Sequence, residues 1–235
     1  MKTPMTRSIL SAVLLAASAG ASAEAPKADG GVWQDDFGTA TCRVQASGRN
    51  DYFVLEPGWQ LAYQDGSTRM EIKVLDETKT VAGHTVRVVE EREWAKGQLQ
   101  EVARNYYGIC ETTKDILHFG EDVEVFKNGK PSGTTGTWLA GEKGNKPGML
   151  IPGTPKQGMK YYEEIAPGVT LNRGEIVSVS ETCKMPAGTF PNCVKVKVTS
   201  GLDAKKLEYK YYAPSIGMVR VDNMRLIKHG FVKTN

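Results

Sequence analysis

The chain contains no Gly-x-Ser-x-Gly elbow, no histidine–glutamate zinc signature and no glycine-rich phosphate loop. Their absence argues against the common secreted hydrolases, zinc enzymes and nucleotide binders, although a triad assembled in space leaves no linear trace. Histidine is scarce. His84, His118 and His229 lie far apart, and no histidine or cysteine stands at metal-ligand spacing from another. No segment beyond the first two dozen residues approaches the ~18 consecutive apolar positions that a spanning helix needs. None sustains an apolar 3.6-residue period. A dominant charge is missing too: 30 Lys and Arg face 27 Asp and Glu, and two of the excess cations, Lys2 and Arg7, sit at the extreme N-terminus. This balance provides no electrostatic footprint for nucleic acid or an anionic membrane. No cofactor and no metal are implied.

What is there begins with a leader. Lys2 and Arg7 precede the apolar run Ile9 to Ala17, and Ala21-Ser22-Ala23 has the small-x-small form of a signal-peptidase site. Residues 1–23 therefore read as a signal peptide that takes the chain to the periplasm or the exterior. Residues 24–50 form an N-terminal arm, small and polar over Glu24 to Gly31. Cys42, Cys110, Cys183 and Cys193 all follow the leader, and an oxidising compartment makes structural disulfides the expectation. Four cysteines allow three pairings. Gly188 lies midway between Cys183 and Cys193, so a hairpin folding there sets the two opposite each other, which favours Cys183–Cys193. Cys42–Cys110 is then left to tie the arm to the sheet.

The remaining residues, 51–235, read as one all-β domain. Arg69-Met70-Glu71-Ile72-Lys73-Val74, Glu175-Ile176-Val177-Ser178-Val179 and Lys195-Val196-Lys197-Val198 alternate polar and apolar, the period of a half-buried strand. Asn128-Gly129 after Val123-Glu124-Val125-Phe126 signals a two-residue hairpin. Antiparallel strands joined by short turns are expected. Two halves, about 51–127 and 155–230, share an order of features. Glu71-Ile72 recurs as Glu175-Ile176, Ala82-Gly83 as Ala187-Gly188, Val86 and Val88 as Val194 and Val196, and Tyr106-Tyr107 as Tyr211-Tyr212. Gly58 and Gly158 extend the match upstream. A duplicated meander is the expectation, curling into a large curved sheet, half-barrel or open barrel. The Gly/Pro-rich crossover 128–154 joins the halves and carries two short strands around Trp138 and Met149 to Ile151.

Alternation also sorts the candidate site residues. Trp59, Leu61 and Tyr63 share one side of their strand, Met159 and Tyr161 share one side of theirs, and each Tyr-Tyr pair sends one ring inward. If the sheet curls, Trp59, Tyr63, Tyr107, Tyr161 and Tyr212 line its concavity and hold an apolar or carbohydrate ligand. The competing expectation is that they fill an ordinary core. The carboxylates attract less attention. Glu90, Glu91 and Glu93 beside Trp94 read as a charged outer face, and Gly120 to Glu124 as a solvated turn.

Asp51-Tyr52-Phe53-Val54-Leu55-Glu56-Pro57-Gly58-Trp59, His118-Phe119-Gly120-Glu121-Asp122-Val123, Pro186-Ala187-Gly188-Thr189-Phe190 and Tyr211-Tyr212-Ala213-Pro214-Ser215-Ile216-Gly217-Met218-Val219 carry a resemblance. They resemble landmarks of a group of secreted bacterial all-β proteins with a YFxLxPG…FGEDV…PAGTF…YYAPxxGxV pattern. The resemblance implies location and fold rather than activity, and the cysteines depart from it. The reading that follows is a secreted or periplasmic non-enzymatic β protein, a module that binds a small molecule or an envelope component. The alternative is a secreted hydrolase of envelope or extracellular polymers that uses carboxylates.

Overall fold

The computed structural model describes residues 32–232. The signal-peptide reading of residues 1–23 and the polar stretch Glu24 to Gly31 lie outside the described residues. Within them the chain is all-β, without a helix. The first strands are β1 (Val44–Gln45), β2 (Gly48–Asn50), β3 (Phe53–Leu55), β4 (Trp59–Asp65), β5 (Thr68–Val81), β6 (His84–Ala95), β7 (Gln98–Cys110) and β8 (Ile116–Lys127). The crossover supplies β9 (Lys130–Gly133), β10 (Trp138–Leu139) and β11 (Gly148–Ile151). Then come β12 (Lys160–Tyr162), β13 (Asn172–Met185), β14 (Gly188–Ser200), β15 (Leu207–Ala213), β16 (Gly217–Val221) and β17 (Met224–Phe231).

Fifteen of these strands form one antiparallel sheet in the order β10-β8-β7-β6-β5-β4-β17-β16-β15-β14-β13-β12, with β1 on β7 and with β9 and β11 on β8; β2 and β3 pair separately. Within each half, neighbours in the chain are neighbours in the sheet. The two halves meet where β17 pairs with β4, Leu226 opposite Tyr63 and Phe231 opposite Trp59. Two-residue turns set several hairpin registers. Ala82-Gly83, Lys96-Gly97 and Asn128-Gly129 each place both central residues at positive φ, the geometry whose twist matches the strands it joins.

The strand alternation holds where it is expected. Met70, Ile72 and Val74 turn one way along β5, and Arg69, Glu71 and Lys73 the other. In β14, Val194, Val196 and Val198 are fully buried between more exposed lysines. Each such side chain contributes about 1.5–3 kcal/mol of burial. The two halves repeat one hydrogen-bond pattern. Gly58 N donates to Val74 O and Gly158 N to Ile176 O; Trp59 N donates to Glu56 O and Met159 N to Lys156 O. Tyr107 opposite His118 and Tyr212 opposite Met218 follow register shifts at the same place on β7 and β15. The ladders refine the sequence match. Val74 and Ile176 face Val89 and Val196, so Val89 rather than Val88 holds the place of Val196.

The ends of the sheet are latched. Gln34 bridges to Tyr161 along β12, with Gln34 N donating to Lys160 O and Tyr162 N to Gln34 O. A few residues on, Cys42 is bonded to Cys110 on β7, with a Cα–Cα distance of 5.8 Å. The arm thus reaches from one flank of the sheet to the other. The crossover does the same, through β10 and β11 on β8 and a bridge from Lys146 to Ile165.

The second expected disulfide is not formed: Cys183 and Cys193 are thiols. The reason lies in the register. The hairpin turns at Pro186-Ala187, which sets Cys183 opposite Phe190, and a bulge then sets Cys193 opposite Glu181. The two cysteines thus sit diagonally rather than opposite each other, and Cys193 Sγ donates to Phe190 O at 3.4 Å.

Candidate functional site

A cavity opens on the inner face of the sheet. Its walls include Val74 of β5, Val89 of β6 and Tyr107 of β7 from the first half, and Tyr212 of β15 and Met218 of β16 from the second. Strands β7 and β15 are separated by five others along the sheet path. Their inward side chains line one cavity only because the sheet curls strongly. The free volume is ≈ 540 Å³ counting the open mouth, of which ≈ 40 Å³ is wide enough for the centre of a water molecule. The space is narrow. The surround is apolar apart from Glu91, Asn105 and Lys210.

Of the five aromatic candidates, Trp59, Tyr107 and Tyr212 line this cavity. Trp59 Nε1 donates to Ile216 O at 3.2 Å, and the indole meets Phe231 edge-on at 5.0 Å. Tyr107 packs on Phe53 and on the His118 ring, at 5.6 and 4.7 Å between centroids. Tyr63 and Tyr161 do not reach it. Both are fully buried. Tyr63 donates to Met218 O at 2.7 Å, and Tyr161 donates to Leu150 O at 3.4 Å while packing over the space at Gly174 that a Cβ would occupy. They hold the wall. In each Tyr-Tyr pair the other ring turns away: Tyr106 bonds Lys79 and Asp122, and Tyr211 lies under Lys195 and Arg220.

Beside this cavity lies a polar cluster that was expected on the surface. Glu91 and Glu93 are 3% and 4% exposed, and Glu121 is fully buried within strand β8 rather than in a solvated turn. Only Glu90 keeps the outer face, on Arg92 and Arg104. The physical reason is parity. Glu91 sits opposite Ala103, and Val89 opposite Asn105, which sits opposite Glu121 in turn, so all five share the inward face. The second half brings Glu163, Glu208 and Lys210 to the same region. Lys210 Nζ donates to Glu163 Oε2 at 2.7 Å and stands 3.8 Å from Glu208 Oε1. Burial opposes the Lys210 charge, but Glu163, Tyr212 and Glu208 outweigh it and hold the ammonium above its ordinary value. Burial pushes Glu208 up to about 7 against the pull of Lys210. Glu91 lies well above the usual carboxylate range, through burial first and then the negative Glu93, Glu101 and Glu121, with Lys210 opposing.

His118 is neutral in this setting. Burial and the nearby Lys210 push it down to about 3, although its Nε2 is 3.0 Å from Gly120 O. Its Nδ1 lies 3.9 Å from Glu164 Oε1, so the contact is not a charge pair. Glu164 instead accepts hydrogen bonds from Thr170 and Asn172. Among the described residues no group of three or more His, Cys, Asp or Glu side chains is arranged to hold a metal ion. Lys210 and Glu91 escaped the sequence reading. The available signal for Lys210 was its parity with Tyr212, a ring already assigned inward; Glu91 shares parity with Val89, whose face only the structure set. Comparison with known protein families, curated proteins and solved structures returns no match.

Proposed function

We propose that this chain is an exported β protein that binds a slender apolar molecule inside its curved sheet and does not transform it. The observation that carries the reading is the narrow apolar cavity where Trp59, Tyr107 and Tyr212 converge from both halves. A largely apolar enclosure with a few placed polar groups is the usual build of a small-molecule site. The Cys42–Cys110 bond and the absence, among the described residues, of a helix long and apolar enough to cross a membrane are compatible with export. The two halves, read as copies of one meander, each provide one inward tyrosine. The resemblance to secreted bacterial β proteins agrees with this placement.

The cavity dimensions weigh against the hydrolase alternative. A slot in which only ≈ 40 Å³ admits a water centre has no room for a sugar ring, let alone a polymer crossing it. They favour an alkyl-like occupant over a carbohydrate for the same reason. Native mass spectrometry of protein purified from its own compartment tests the reading. The expected result is a small-molecule adduct that disappears in Val89→Phe, whose larger ring fills the slot. Wild-type protein that carries no adduct and takes up no added alkyl compound sinks it.

A further inference from the structure

Two acceptors at the cavity wall have nothing to accept from. Glu91 Oε2 and Asn105 Oδ1 are both buried, both belong to cavity-lining side chains, and neither has a hydrogen-bond partner. Glu91 is 3% exposed and Asn105 2%. The two side chains come from adjacent strands, β6 and β7, and share the inward face. A buried acceptor left unmade is costly, and a carboxylate more so than an amide. Lys210, the one cation that lines the cavity, turns its Nζ to Glu163 at 2.7 Å and makes no hydrogen bond to either oxygen. Glu93, Glu101 and Glu121 lie close enough to disfavour negative charge on Glu91, and a cation seated beside it offsets that cost.

We propose that the cavity's occupant carries a protonated primary amine, seated between Glu91 and Asn105, at the end of a slender apolar chain. The inference rests on the cavity being a ligand site and names the chemistry that site selects. An ammonium has three donors and no acceptor, so it serves both open oxygens at once. Glu91, kept protonated by its surroundings while no cation faces it, releases that proton to solvent and pairs as a carboxylate with the ammonium, whereas a hydroxyl would satisfy only part of the demand. Val89 and Tyr107 flank the seat, and Val74 and Leu61 continue the apolar path toward Trp59.

The test compares three probes of equal chain length, octylammonium, octanol and octanoate, by titration calorimetry on the purified full-length mature protein. Octylammonium is expected to bind about tenfold tighter than the other two or better, the worth of a hydrogen bond to a charged group. Glu91→Gln is expected to erase that preference while octanol affinity is kept. Octanol or octanoate binding as well as octylammonium overturns the amine and leaves the binding reading standing. So does an ammonium preference that survives in Glu91→Gln. If none of the three binds, the ligand site itself is refuted and the amine with it. The wild-type series decides between these outcomes even if the variant fails to fold.

Discussion

Glu208 and His118 set opposite pH dependences within one core. Glu208 has its carboxyl raised from 4.5 to about 7, so the folded chain holds a proton there that the unfolded chain releases. Stability from this group is fully present below pH 4.5 and is lost as pH rises through 7, a change of about 3 kcal/mol. Burial raises Glu91 and Glu163 in the same direction. His118, lowered from 6.5 to about 3, works the other way: its contribution is present above pH 6.5 and is lost as pH falls toward 3. Glu208→Gln removes the first effect and leaves the second. The variant is therefore expected to gain stability over wild type as pH rises from about 4.5 to above 7, read from urea midpoints at both ends. A difference between variant and wild type that does not change with pH contradicts the buried setting of this carboxyl.

The seam between β11 and β12 is where a single methyl group matters most. A Cβ on Gly148 would stand 2.0 Å from Glu163 O and 2.4 Å from its carbonyl carbon, both backbone atoms that cannot swing aside. Gly148→Ala is expected to cost about 1–3 kcal/mol or more and to displace the strand that presents Glu163 to Lys210. Gly133 on β9 has nothing within 4 Å of its Cβ position, and Gly133→Ala is the control expected to melt near wild type. Equal melting temperatures for the two variants would mean that β11 does not press on β12. The arm's latch is the other element to test. The Cys42–Cys110 bond spans a sequence separation of 68, and a loop of that length gives about 4 kcal/mol by the chain-entropy relation. Cys42→Ser is expected to lower the melting temperature to that of reduced wild type. Because Cys183 and Cys193 are thiols, reductant is expected to lower the variant no further. An additional drop would reveal a second bond.

Across the whole molecule, the strands were legible and the interior was not. Alternation at Arg69 to Val74 and Lys195 to Val198, the Asn128-Gly129 turn and the paired tyrosines all follow from neighbours two to four residues apart, and all appear as expected. Pairing of the cysteines was legible where it depended on the arm. It failed at Cys183 and Cys193, where a bulge of one strand against the other moved the register. Trp59, Tyr107 and Tyr212 were found as cavity residues, and Tyr63 and Tyr161 became wall. Glu91, Glu121 and Lys210 were missed because a charged residue in an alternating strand looks the same on either face.

The amino-acid order by itself thus determined that this chain forms antiparallel strands, where most of them turn, and which side chains share a face. Those properties are local, set by backbone pleat and by turn geometry. Only the tertiary structure decided which face is enclosed. That choice depends on β17 joining β4, across more than half the chain, and on the arm and crossover drawing the two flanks together. Once the sheet curls, the face that carries Val89 and Tyr212 is shut away from water. Glu91, Asn105 and Lys210 go inside with it, because the pleat that places the apolar residues there offers their neighbours two positions along no other side.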